Sequence, residues 1–270
     1  MGLARGLKRM LGRGGPVIPV VRLHGVIAAE QRPGRLNIET VGPLLERAFA
    51  IRQAPAVAIV VNSPGGSPVQ SRLIAKRIRD LADQHHRPVL MFVEDAAASG
   101  GYFIATAGDE IIVDPSAIVG SIGVIYASFG FVSAMRKLGI ERRVHTAGGS
   151  KSTLDPFLPE RGEDVERIKT LEGDIHAVFI DWVKMRRSGK LSTDIDLFTG
   201  EFWSGRRGVQ LGLADAEGDL HETLRSRFGT ETELRVIAPR RPFFSLPRLG
   251  IAAELAAAAE DRVAWARLGM

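Results

Sequence analysis

Cysteine is absent from this 270-residue chain. Its absence excludes zinc–thiolate sites, thiol nucleophiles and disulfide frameworks. Aromatic residues are sparse at 6%, and the strongly apolar runs, such as residues 56–61, are short. A helix needs roughly 20 apolar residues to cross a bilayer, so none of these runs qualifies. The first fifteen residues contain no acid: Arg5, Lys8, Arg9 and Arg13 carry four of the five net positive charges, and the remainder is nearly balanced. That distribution argues against a broad nucleic-acid-binding face, and no nucleic-acid partner is expected. The basic arm reads as a solvated terminus available for peripheral contact with anionic lipid. It lacks the apolar stretch of a secretory signal or anchor. The expected location is therefore the cytoplasm, with membrane association through the arm left open.

What is present is an ordinary globular composition, 45% apolar and 25% charged, in a chain long enough to bury a full core. Residues 16–23 are β-branched and read as a first strand, and 25–35 as a polar loop. Residues 37–52 carry a helical apolar face. The continuous apolar runs 56–61 and 88–93 fit strands buried on both faces of a parallel sheet. A helix over 69–83 separates them. After a small-residue turn and short helix come a strand at 110–114 and one or two strands, broken by Gly120 and Gly123, within 117–128. Helices are expected at 129–138 and, longest of all, 160–187, with an extended piece at 142–146. Short helices and a turn at Ala214–Asp215 follow, then a Pro/Arg-rich stretch at 236–247 and an alanine-rich helix at 252–268. Strand and helix alternate, so the class is α/β.

Three glycine-rich loops follow apolar strands, where sites of α/β sheets form. In Asn62-Ser63-Pro64-Gly65-Gly66, the glycines allow backbone N–H groups to turn outward, as an oxyanion hole or phosphate nest requires. Ser99, in Ala98-Ser99-Gly100-Gly101-Tyr102, has small neighbours that leave its hydroxyl accessible, and the Gly100 N–H opens a helix. Taken alone, each also reads as a plain turn and a helix N-cap. The third loop contains Lys151, but His145 and Ser150 occupy the two glycine positions of a phosphate-loop motif.

Together, NSPGG, ASGGY, GSIG at Gly120–Gly123, a lysine 52 residues after the serine, and the Trp203-Ser204-Gly205 and Gly212-Leu213-Ala214-Asp215 segments resemble peptidase family S49, the signal peptide peptidase A-type serine proteases. The resemblance covers about residues 17–225. It implies a Clp/crotonase-type spiral of ββα units with a helical C-terminal arm, and a division into the basic arm (1–15), a catalytic domain (16–235) and a linker with terminal helix (236–270). It further implies Ser99 as nucleophile, Lys151 as general base, Ser121 orienting the lysine amine, and Gly66 and Gly100 as oxyanion-hole donors. Gly65, Gly120, Ile122, Gly123 and Val124 would contact an extended peptide. No cofactor or metal is implied. An amine acts as a base only when neutral, which burial favours, so no carboxylate should stand beside Lys151; Asp155 is the nearest in sequence. A histidine base in the Clp manner would fall near residues 123–126, which are Gly-Val-Ile-Tyr. Most members of the family carry an anchor or export signal before the first strand, and in a double-length form the serine and lysine come from different halves. The resemblance also implies a homo-oligomeric ring or dome and hydrophobic peptide substrates such as signal-peptide remnants. An idle scaffold of the same fold, or an acyl-CoA crotonase with acids at its site, are the alternatives.

Overall fold

The structure, a computed structural model, describes residues 15–32, 34–239, 259 and 261–270. Residues 1–14 of the basic arm, and 240–258 and 260 of the terminal segment, lie outside the described residues. The main sheet is parallel, in the order β10 (Glu233–Val236), β1 (Val17–His24), β4 (Val57–Ser63), β5 (Val89–Ala98), β6 (Glu110–Val113), β9 (Ala216–Glu217). Period-two alternation divides its side chains between two cores. Val57, Ile59, Val61, Val89, Met91 and Val93 face one core. Ala58, Val60, Leu90 and Phe92 face the other. Burial on both sides explains the unbroken apolar runs, and each fully buried side chain contributes about 1.5–3 kcal/mol. The first core is covered by α1 (Ile38–Phe49), α2 (Pro68–His85) and α3 (Gly100–Ala105), the second by Leu220 and Leu224 of α7 (Leu220–Phe228).

A second layer of short strands leaves the ends of the main ones. β2 (Val26–Ile27) pairs with β3 (Arg35–Leu36), inside the segment expected as a loop, and Ile27 bridges Gly66. β5 runs five residues past its expected end, because Ala96–Ala98 leave β6 and pair with β7 (Ile118–Gly120). β7 in turn pairs antiparallel with β8 (Phe202–Ser204), a strand the sequence reading did not contain. A long strand, a short strand turned aside and a helix thus recur, which is the ββα spiral of the Clp/crotonase type. Of the expected C-terminal arm, residues 261–266 are helical. Residues 121–131 form no second strand, and 142–146 have no regular structure.

Helix ends are set by side chains. Asn37 caps α1 in a reciprocal box with Thr40, worth about 1 kcal/mol, and the Ile38 N–H donates to Gln70 Oε1 of α2 at 3.0 Å. α5 (Gly162–Arg186) crosses α3: Trp182 stacks on Phe103 at 5.3 Å and donates to Thr106 Oγ1 at 2.9 Å. Beyond α5 a polar knot closes the fold. Asp215 accepts from Arg187 at 2.7 Å, Lys190 at 2.6 Å and the Ile111 N–H at 2.8 Å. Buried Tyr102 donates to the Leu213 carbonyl at 2.8 Å, and burial pushes its phenol up, keeping it a neutral donor.

Burial raises the Asp215 carboxyl, but Arg187, Lys190 and the Ile111 amide outweigh it and hold the group below its ordinary value of 3.8. Its contribution to stability is therefore complete above the unfolded-state value and is lost as pH falls through the lower folded one. Asp215→Ala should lower stability by about 3 kcal/mol at pH 7, because Arg187 loses its buried partner. It should also flatten the decline in stability below about pH 4. Urea unfolding at pH 7 and pH 3 measures both.

Candidate active site

Ser99 stands where β5 turns into α3. Its backbone is held at φ +51°, ψ −120°, a conformation that L-residues adopt at a cost of about 1–3 kcal/mol. The turn is held from both sides: the Ser99 N–H donates to the Gly120 carbonyl at 2.8 Å, and the Phe103 N–H to the Ser99 carbonyl at 2.9 Å. Three preceding alanines let β5 fit between β4 and β7 at this point.

Against this turn lies the loop after β4. Gly65, at φ +104°, comes so close that a Cβ there would lie 2.8 Å from Ser99 Cβ and 2.9 Å from the Gly100 nitrogen. A Cβ on Gly100 would strike Ser71 Oγ and lie 3.4 Å from the Gly66 nitrogen. The amides of Gly66 and Gly100 are thus neighbours beside Ser99. The bridge to Ile27 uses the Gly65 carbonyl and the Ser67 N–H, both at 2.8 Å, and passes over the Gly66 N–H. Among the described residues, neither the Gly66 nor the Gly100 amide has an acceptor. Two unused donors next to a hydroxyl can receive a negative charge that develops on an attacked carbonyl.

A cleft of about 660 Å³ opens over this point, lined by Gly65, Gly66, Ser99, Ser121, Gly123 and Phe202 among others. An apolar pocket of about 230 Å³ adjoins it, with Ser99 and Gly100 at one wall and Val69, Phe103, Val178 and Phe179 around it; Val124 lines both spaces. Among the described residues, no Asp or Glu lines either, unlike the acid-bearing site that a crotonase enzyme needs. The Ser121 N–H donates to the Glu201 carbonyl at 2.7 Å, and the hydroxyls of Ser99 and Ser121 have no partner among the described residues.

Other expected positions fall elsewhere. Ile122 is fully buried in the core, and His176 Nε2 lies 2.9 Å from its carbonyl, so its side chain is not available to a substrate. Gly120 lies beneath the Ser99 turn, its carbonyl used by the Ser99 N–H and its Cβ position 2.8 Å from the Trp203 ring. Lys151 is exposed on a turn and lines neither cleft nor pocket, so within one chain it lacks the burial that a neutral amine needs. Asp155 is engaged elsewhere: it pairs with Arg142. The Phe157 N–H, 3.0 Å away, and that arginine together hold its carboxyl below the usual value despite burial. His176 was no site candidate, and nothing in its sequence setting shows that it fastens α5 to the segment forming the cleft wall.

The sequence profile of peptidase family S49 matches residues 82–231. This is more than half of the chain and includes Ser99, Ser121 and Lys151. The chain belongs to peptidase family S49. It is 31% identical over 214 residues to protease 4 of Haemophilus influenzae, covering 77% of the chain and 34% of that protein. It is 53% identical over 272 residues to a Brucella abortus protein named Na(+)/H(+) antiporter NhaA, covering 94% of the chain and 37% of that protein. The chain thus spans little more than a third of each. Among solved structures, a membrane-bound stomatin-specific protease aligns over 84% of this chain and 94% of its own at 16% identity, with a TM-score of 0.46. No helix among the described residues is long and apolar enough to cross a membrane.

Gly65→Ala should lower kcat/KM for peptide hydrolysis by roughly 100-fold or more, the effect of displacing a reacting group by about 1 Å. Peptide hydrolysis assays measure the loss, and the melting temperature reports separately on the fold.

Proposed function

We propose that this serine peptidase is an endopeptidase using a Ser99–Lys151 dyad. The observation that carries the reading is the half-buried Ser99 hydroxyl beside two unused backbone donors at Gly66 and Gly100. Ser99 Oγ attacks the peptide carbonyl, and its proton passes to the Lys151 amine, which Ser121 orients. The Gly66 and Gly100 amides receive the oxyanion, the amine returns the proton to the leaving nitrogen, and water then hydrolyses the acyl-enzyme. An extended peptide lies along residues 123–126, which pair with no strand among the described residues. The adjoining pocket is apolar, which favours hydrophobic peptides such as signal-peptide remnants. The antiporter name belongs to a relative of which this chain spans 37%, and the peptidase match accounts for the shared part.

Lys151 reaches a Ser99 when the chain assembles. Residues 125–150 form an almost wholly exposed excursion in which Ile125 is 69%, Phe129 80% and Leu138 72% accessible. Apolar side chains exposed together in this way mark an interface, and the proposed cover is a second copy. Packing the excursion against a neighbour withdraws Lys151 from water and leaves its amine beside that neighbour's serine.

Ser99→Ala and Lys151→Ala should each abolish peptide turnover, and a fluorophosphonate should modify the wild-type chain at Ser99. If the lysine comes from a neighbour, co-assembled Ser99→Ala and Lys151→Ala chains should regain roughly a quarter of wild-type activity, from sites that combine the two intact residues. Unchanged turnover in both single variants would overturn the dyad.

A further inference from the structure

We infer that residues 261–270 form a strap of this chain's own across the Ser99 cleft, occupying space that a peptide substrate needs. The inference rests on the reading of that cleft as the peptide channel and adds a regulation to it.

The strap begins at a charged tie. Asp261 lies 2.7 Å from Arg35 Nη1, and the Arg35 side chain is only 5% exposed. Arg35 belongs to β3, whose partner β2 reaches Gly66 through Ile27. The strap is therefore fastened to the short strands that bridge to the loop carrying one of the two proposed oxyanion donors. From there Ala264, Arg267 and Leu268 line the same cleft as Ser99, Gly65, Gly66 and Ser121. Their spacing of three and four residues places them on one helical face. The helix then closes: the N–H groups of Leu268 and Met270 both donate to the Trp265 carbonyl, at 2.9 and 3.2 Å, around Gly269 at φ +76°. Met270 reaches a separate cavity lined by Arg22, Phe92 and Glu94. The segment thus spans the cleft from one side to the other.

Its attachment suits release better than permanent closure. Ala264, Trp265 and Leu268 are only partly buried, and among the described residues the Arg267 side chain has no acidic partner. With no strand pairing and no fully buried side chain, the strap opens at lower cost than the core around it. A peptide with apolar side chains competes for the place of Ala264 and Leu268. A strap closed about nine-tenths of the time lowers the apparent rate of entry about tenfold.

The test uses the full chain, and Asp261→Ala and Leu268→Asp loosen the strap at different points. Both variants should raise the rate of fluorophosphonate modification of Ser99 and the kcat/KM for an apolar peptide by about tenfold, mainly through a lower KM. A synthetic peptide of residues 261–270 should inhibit them competitively. Because the chain has no cysteine, Ala264→Cys provides a single thiol whose alkylation reads strap opening independently of catalysis. It should be slow alone and about tenfold faster when combined with Asp261→Ala. Equal alkylation in the two forms overturns the strap, as does a fall in kcat/KM through a raised KM, which would make the segment a wall of the peptide site. Faster alkylation with Ser99 unmodified in every form supports the strap and removes Ser99 as nucleophile. Equal Ser99 modification in wild type and both variants overturns the strap while leaving the nucleophile in place.

Discussion

Two turns approach each other more closely than side chains allow, and the arrangement of the site depends on that contact. The Ser63–Gly66 loop and the Ser99–Gly101 turn meet through glycine. A Cβ on Gly101 would lie 2.6 Å from the Ser63 carbonyl oxygen, and one on Gly65 would press into Ser99. The β4–β5 ladder prepares the contact by shifting register between Val61 and Ser63, which places Ser63 opposite Ala97. From that pairing follow the run of alanines at the end of β5, the strained backbone of Ser99 and two amides with no structural bond to make. Strain at one residue persists because the surrounding strands leave it no alternative.

The rest of the molecule divides into a part that holds this contact and a part that does not. The central strands, the inward faces of α1–α3 and the knot around Asp215 are buried. The excursion after Val124 is not: its apolar side chains face water, and Lys151, the proposed base, stands exposed just beyond it. With its proposed donors fixed and its proposed base remote, the site on that reading is complete in its electrostatics but not in its proton transfer. Oligomer formation would then govern turnover directly and leave the geometry at Ser99 unaltered.

The central strands were legible because parallel strands buried on both faces read as unbroken apolar runs. β2, β3, β8 and β9 were not, since two or three residues show no alternation, and β2 begins beside Gly25 in a polar stretch. The alanines at 96–98 suggest a turn by composition, yet they are strand because only small side chains fit between β4 and β7 there. Residues 142–146, extended by composition, pair with no strand among the described residues. At the site, Ser99 and the glycine loops stood out because small residues at strand ends have few other uses. Ile122, expected to contact a peptide, turns its side chain into the core because alternation after Gly120 sends it there. The distance of Lys151 from the cleft, the His176 contact and the seating of residues 261–270 are tertiary facts without a local pattern.

α5 has a mechanical consequence. Its C-terminal half is clamped to α3 and the turn after it by the Phe103–Trp182 stack and by Arg186 bonds to the Thr106 and Gly108 carbonyls. Its middle supplies Ile175, Val178 and Phe179 to the wall of the apolar pocket, and His176 holds the opposite rim at Ile122. Its first turns are tied as well: buried Asp164 pairs with Arg161 and Arg167, and Arg167 donates to Thr153 at 3.1 Å. A rod held near both ends keeps its middle in place, and here that span is the pocket wall. α5 therefore fixes the bore of the pocket, and with it the girth of any side chain that enters.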